Sequence, residues 1–287
     1  MIPLEVTESK EQAPLTLVIY GKPKIGKTEV LAQLKDFLML DFENGSNHVS
    51  ALKQKIIGFY PPIKESEQSK KDREKNKEMY FQEFGQELLT YRATHSNPYK
   101  GAIVDTITAL EGWCEDDATW EYMGMPQGKS FNRIKGKEGI DKITGDIINV
   151  VSSNKFQSVL TLPNGAGYLH LRNSFKKWKG KFDKIAEYKI FVAHIKDIFL
   201  TRDGKDVSAS DLDLTGKIKN ITCAGVDAIG QVYRTFDNPL ELRISFQNHN
   251  QDLVGSRAKH LRNQDFVLAV NNPDGSIKSH NWDKVYI

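Results

Sequence analysis

Residues 15–34, LTLVIYGKPKIGKTEVLAQL, decide the fold. The run at 15–20 is almost wholly apolar, the pattern of a strand buried on both faces. It stops at Gly21 and continues as Gly21-Lys22-Pro23-Lys24-Ile25-Gly26-Lys27-Thr28, after which Glu29, Val30, Leu31 and Leu34 open a short helical pattern. GxxxxGK[ST] between a buried strand and a helix is the context of a phosphate-binding P-loop. Gly21 and Gly26 permit backbone angles and close approaches that a Cβ would block. Successive amide N–H groups of such a loop point inward and cradle phosphate oxygens. Lys27 is then the cation for the outer phosphates, and Thr28 supplies a hydroxyl to Mg²⁺. Pro23 lacks an N–H and stiffens the outer arc instead. The expected cofactors are ATP and Mg²⁺.

The rest of the chain accommodates this unit in a globular α/β protein. It has 287 residues, 39% hydrophobic and 27% charged, with a formal net charge of +3. That mixture is neither disordered nor membrane-spanning, and it permits nucleic-acid binding without demanding it. Cys114 and Cys223 have no metal-ligand neighbours such as CxxC, and the start MIPLEVTESKEQAP lacks a signal-peptide pattern. A reducing, cytoplasmic setting is the expectation, with no membrane partner. Further buried strands are read at FLMLDFENG (37–45), in the strand-then-turn unit KGAIVDTITALEGW (100–113) and at YKIFVAHIKD (188–197), with β-type runs at DAIGQVYRTF, LELRISFQ and DFVLAVNN. The pattern predicts a mostly parallel sheet with helices on both faces and additional C-terminal strands, as one domain over 1–287. Residues 64–78 carry six basic and five acidic side chains and read as a solvated helix or loop. Residues 115–164 are polar and glycine-punctuated, and read as an insertion.

Three strand ends carry candidate chemistry. Asp105 closes a buried strand, where an unpaired carboxylate is costly, and it fits a metal-site acid; a capping aspartate is the alternative. Asp41 and Glu43 stand at i and i+2, one face of a strand. Glu43 is the candidate to orient or deprotonate an attacking water, against a polar turn before Gly45. His194 stands at a strand end in VAHIKD and can contact a terminal phosphate, or be structural.

In their order, the loop, LMLDFENG, AIVDTITAL and VAHIKD resemble the ATPase core of RecA-type recombinases. Closer still is the resemblance to the short phage RecA-like proteins of recombination and single-strand annealing, which often end the fourth strand in Ala-His. The likeness covers about 13–45, 100–112, 166–235 and the C-terminus, and none of it falls on 115–164. It implies a catalytic Glu43, a Walker B Asp105 followed by Thr106, and a γ-phosphate-sensing His194, where RecA has glutamine. It further implies single-stranded DNA as partner, a ring or filament of identical subunits, and contact with a single-strand-binding protein. A helicase or helicase loader, or a nucleotide kinase, remain alternatives that share the loop.

Two regions are candidates for DNA. In YLHLRNSFKKWKGKFDKI, apolar residues at Tyr168, Leu171, Phe175, Trp178, Phe182 and Ile185 form one helical stripe expected to face the core. Arg172, Lys176, Lys177 and Lys179 lie off that stripe, and residues 172–189 hold seven basic and two acidic side chains. Such an excess attracts a phosphate backbone, although lysines also serve solubility. The segment after His194 is where RecA relatives place a strand-binding loop, making Arg202, Lys217 and Lys219 candidates. Arg257 and Lys259 in GSRAKHLRNQ are candidates to complete the ATP site of a neighbouring subunit, against an ordinary surface turn.

Overall fold

The structure, a computed structural model, describes residues 12–62, 65–129, 131, 138–140, 147–149, 157–202, 205–247 and 252–286. Along the chain, β1 (Thr16–Gly21) and α1 (Lys27–Leu31) are followed by β2 (Phe37–Asp41), β3 (Lys53–Gly58), α2 (Glu67–Asn76) and β4 (Glu78–Tyr80). Next come α3 (Phe81–Arg92), β5 (Gly101–Asp105), α4 (Ile107–Gly124), the small pair β6 (Glu138–Ile140) and β7 (Ile147–Asn149), and α5 (Gly167–Phe182). The last part holds β8 (Tyr188–Arg202), β9 (Lys205–Leu212), α6 (Gly216–Ala224), β10 (Ala228–Tyr233) and β11 (Glu241–Ser245). It ends with β12 (Gly255–Ser256), β13 (Asp265–Asn271) and β14 (Ile277–His280). This is an α/β fold with a mostly parallel centre and antiparallel C-terminal strands, as the sequence predicts. Where the sequence reads as one domain, the chain divides into two compact units.

The first unit comprises residues 1–34, 190–213 and 219–287. Its strands run β14-β13-β11-β10-β1-β8. β1 lies parallel to β10, with Leu17 beside Ala228 and Tyr20 beside Gln231. The strands beyond are antiparallel, β10 to β11, β11 to β13 and β13 to β14. All six residues of β1 are buried, which is why that strand is a continuous apolar run. The sequence reads the fourth strand over 188–197, with His194 near its carboxyl end, and the resemblance implies a loop beyond it. β8 instead continues to Arg202 and pairs with β9 as an antiparallel ribbon, from Ile195 opposite Leu212 to Arg202 opposite Lys205. The β-prone Ile-Phe-Leu-Thr and Val-Ser-Ala-Ser flank an Asp-Gly, a hairpin signal that needs no core to act.

The second unit comprises residues 35–189 and 214–218. Its strands run β5-β2-β3-β4, every pair parallel. The core is aromatic: Phe59 stacks on Trp178 at 3.7 Å between centroids, and Phe81 lies 4.5 Å from Phe182. The predicted stripe of α5 is buried at Leu171, Phe175, Trp178 and Phe182, and Ile185 just beyond the helix is buried too. Tyr168 departs from it, at 45% exposure. In that first turn the backbone itself makes the contact, since a Cβ on Gly167 would lie 2.0 Å from the Val159 carbonyl oxygen. The neighbouring Tyr168 is left at the surface.

Polar sequence also conceals core. α4 runs through residue 124, and Ile107, Leu110, Cys114 and Ala118 recur at helical spacing with no exposed surface. Thr119 Oγ1 accepts from the Val159 amide at 3.0 Å. The described ends of the 115–164 stretch thus share α4 and the Thr119–Val159 contact with this unit. Residues 130, 132–137, 141–146 and 150–156 lie outside the described residues. The charge run is largely a solvated helix, α2, but Arg73 is buried between Glu65 at 2.7 Å and Glu83 at 2.9 Å.

Asp117 ties α4 to α5. Its buried carboxylate accepts from Ser174 Oγ at 2.6 Å, Lys177 Nζ at 2.6 Å and Trp178 Nε1 at 3.0 Å. Burial combined with three donors makes this carboxylate costly to delete. Asp117→Ala is expected to lower unfolding free energy by about 3 kcal/mol in urea titrations, because two buried donors, Ser174 and Trp178, and the half-buried Lys177 lose their shared acceptor. Asp117→Asn should lose less, and an unchanged midpoint in both variants would contradict this role.

Candidate functional site

The phosphate loop lies in the first unit. At Gly21 a Cβ would stand 2.4 Å from the Val232 carbonyl oxygen, so only glycine lets β1 end against β10. Gly26 has φ of 107°, and Lys24 also adopts a left-handed φ of 62°. Lys22, Pro23 and Lys24 are exposed on the outer arc, while Ile25, Gly26, Thr28 and Glu29 are half-buried. Lys27 is only 6% exposed. Its ammonium donates to the carbonyls of Gly21 at 2.8 Å and Lys22 at 2.9 Å. α1 begins at Lys27, with Gly26 as its N-cap and Glu29 in its first turn. Trp282 Nε1 donates to the Val30 carbonyl at 2.8 Å and secures this five-residue helix, a contact that sequence reading missed. The donor set fits a triphosphate with Mg²⁺: loop amides, a sheltered ammonium, and the Thr28 hydroxyl on the first turn.

The acidic candidates lie in the second unit. Asp41 ends β2 and sits beside Asp105, which ends β5. Both are nearly inaccessible, at 1% and 5% exposure. Asp41 does not share a face with Glu43, as strand alternation would require. The strand stops at Asp41, and its carboxylate turns back to accept from the amides of Glu43 at 3.1 Å, Gly45 at 3.2 Å and Ser46 at 3.0 Å. This carboxylate builds the turn that carries Glu43. Glu43 is exposed, and its Oε1 accepts from Thr106 Oγ1 at 2.6 Å. Thr106 also caps α4, accepting from the Ala109 amide at 3.2 Å. The peptide between Asp105 and Thr106 is cis. Glu43, Asp105 and Thr106 are thus brought to the ends of adjacent parallel strands.

Residues 13–258 match the family described as AAA domain. The chain belongs to this family. It carries an AAA, P-loop ATPase-type domain, and the match takes in both the glycine loop and the acidic strand ends. No curated protein matches the chain. Among the described residues, no helix of the AAA domain is long and apolar enough to cross a membrane. None of its described His, Cys, Asp and Glu residues form a group of three that could hold a metal alone.

The remaining candidates fall in several places. His194 is mid-strand in β8, half-buried, where the buried run Ile190–Ala193 gives way to the ribbon; its carbonyl accepts from the Asp213 amide at 3.0 Å. On α5, Lys176 is exposed and Arg172 half-buried. Lys177 is committed to Asp117 and Glu121, both at 2.6 Å, and Lys179 to Asp183 at 2.8 Å. These carboxylates hold the Lys177 ammonium charged well beyond the ordinary lysine range despite the opposing cost of burial. Two of the basic residues expected for DNA are therefore paired within the fold. Lys219 is paired with Asp211, and Lys217 is exposed. The Arg202 side chain lies outside the described residues.

Arg257 and Lys259 are exposed and line a cleft with residues 12–15 and Asp227. That cleft flanks the start of β1, whereas the phosphate loop follows its end, about 20 Å away for a six-residue strand.

The Thr106 hydroxyl has two jobs, and these generate a test. Thr106→Val removes the helix cap and the Glu43 contact, so unfolding free energy should fall by about 1 kcal/mol and ATP turnover should drop. Thr106→Ser preserves both bonds and should match wild type in urea titration and phosphate release. A fully stable, fully active valine variant would contradict the assignment.

Proposed function

We propose that this AAA domain is an ATP-hydrolysing, single-stranded-DNA-binding protein of phage-type recombination or annealing. The observation that carries the ATPase half is the sheltered Lys27 ammonium within a glycine loop whose geometry admits no Cβ at Gly21. In this reading Lys27 and the loop N–H groups other than Pro23 bind the phosphates of ATP, Thr28 offers its hydroxyl to Mg²⁺, and Asp105 is the metal-site acid, acting through coordinating waters. Bound Mg²⁺ would offset charge on the phosphates as the terminal one departs. Glu43, exposed at its turn and oriented by Thr106, is the group to position the attacking water. His194 stands between core and ribbon, a suitable place for sensing the terminal phosphate.

The DNA half rests on the resemblance to the short phage RecA-like proteins and on a thinner set of cations than the sequence offered. Lys176, Arg172 and Lys217 are the described candidates that no carboxylate neutralises. A ring or filament of identical subunits accounts for Arg257 and Lys259. They lie at the far end of β1 from their own loop, so in this reading they would act on a neighbour's nucleotide; an ordinary surface turn is the alternative. A single-strand-binding protein is the further partner proposed.

Phosphate release with and without single-stranded DNA, across wild type, Lys27→Ala and Glu43→Gln, tests the reading. Wild-type turnover should rise with DNA. Lys27→Ala should lose ATP binding, and Glu43→Gln should bind ATP with turnover reduced at least about 100-fold, the range for losing a general base. Absence of DNA binding at low salt in the presence of ATP would overturn the DNA half. Directional unwinding of a fork, or a phosphorylated nucleoside product, would move the chain to a helicase or to a phosphotransferase.

A further inference from the structure

Arg234 follows β10 directly, and its guanidinium spans three separate partners in the first unit. Nε donates to the Ile25 carbonyl of the phosphate loop at 3.2 Å, Nη1 to the Pro239 carbonyl at 2.9 Å, and Nη2 to Asn271 Oδ1 at 2.9 Å. Asn271 ends β13 and is itself only 6% exposed, its amide donating to the Leu240 carbonyl at 2.9 Å. The guanidinium lies directly behind Gly26: a Cβ there would stand 3.2 Å from Nη2. Among the described residues no carboxylate forms an ion pair with Arg234. Half-buried without such a partner, it is held below the ordinary arginine range by desolvation, opposed only by the charge of Glu29 on α1.

The consequence follows from peptide geometry. In a planar trans peptide, C=O and the following N–H point in opposite directions. An Ile25 carbonyl drawn onto Arg234 therefore turns the Gly26 N–H away from Arg234. We propose that Arg234 is the positioning residue of the phosphate loop, fixing the Ile25–Gly26 peptide in its anion-binding orientation and anchoring it to Asn271. This rests on the ATP-binding reading of the loop. A planar guanidinium suits the task because its donors stand in a fixed fork, which a lysine cannot reproduce. Arg234 touches no substrate in this account, and its effect passes through the Ile25–Gly26 peptide.

The test is Mg-ATP titration with steady-state phosphate release on wild type, Arg234→Ala, Arg234→Lys and Asn271→Ala. Arg234→Ala is expected to raise KM and Kd for ATP about tenfold, with kcat changed less than threefold. The melting temperature without nucleotide should stay within a few degrees of wild type. Arg234→Lys keeps the charge and should recover less than half of the loss, and Asn271→Ala should raise KM about threefold. Full recovery by lysine would assign the effect to charge alone and overturn positioning. So would KM within twofold of wild type in Arg234→Ala, or, should that variant fail to fold, in Asn271→Ala. A wild-type protein that binds no ATP would instead overturn the nucleotide reading itself.

Discussion

The first unit depends on a lysine ammonium that has left water and rests on main-chain carbonyls. Lys27 donates to Gly21 and Lys22, and such burial is tolerated only with good hydrogen bonds. Those carbonyls are available because β1 ends against β10 with no Cβ between Gly21 and Val232. The parallel pairing of β1 and β10 therefore sets where the loop starts, and α1 sets where it ends. α1 has only five residues and leans on Trp282 from the C-terminal tail. A short helix is marginal alone, so tertiary contact stabilises it.

In the second unit the buried carboxylates of Asp41 and Asp117 organise structure, and that of Glu43 stays exposed. Asp41 and Asp117 each satisfy several donors and fix, respectively, a turn and a helix pair. Glu43 is carried on the first of these and steadied by Thr106. The division follows from desolvation: an aspartate at a strand end is short enough to close on local amides, whereas the longer glutamate two residues on reaches outward.

Local signals were legible wherever one segment sufficed. The P-loop, the all-buried strands β1, β2 and β5, and the apolar stripe of α5 can each be read from their own residues. Whatever required a second segment was hidden. The Lys177 cation looks free for DNA until the Asp117 and Glu121 carboxylates of α4 come into place. Asp41 looked like a partner of Glu43 because alternation holds only while a strand lasts. The ribbon of β8 and β9 stands where the resemblance implies a strand-binding loop, although β-prone residues flank an Asp-Gly there. Arg234 carries no motif at all; only the fold brings it behind Gly26.

A structure determined with Mg²⁺ and a non-hydrolysable ATP analogue tests the central claim most directly. The account predicts the analogue's phosphates inside residues 21–28, with the Lys27 ammonium moved from the Gly21 and Lys22 carbonyls onto them and the loop backbone otherwise unchanged. An analogue bound elsewhere, or one bound while Lys27 stays on both carbonyls, would contradict it.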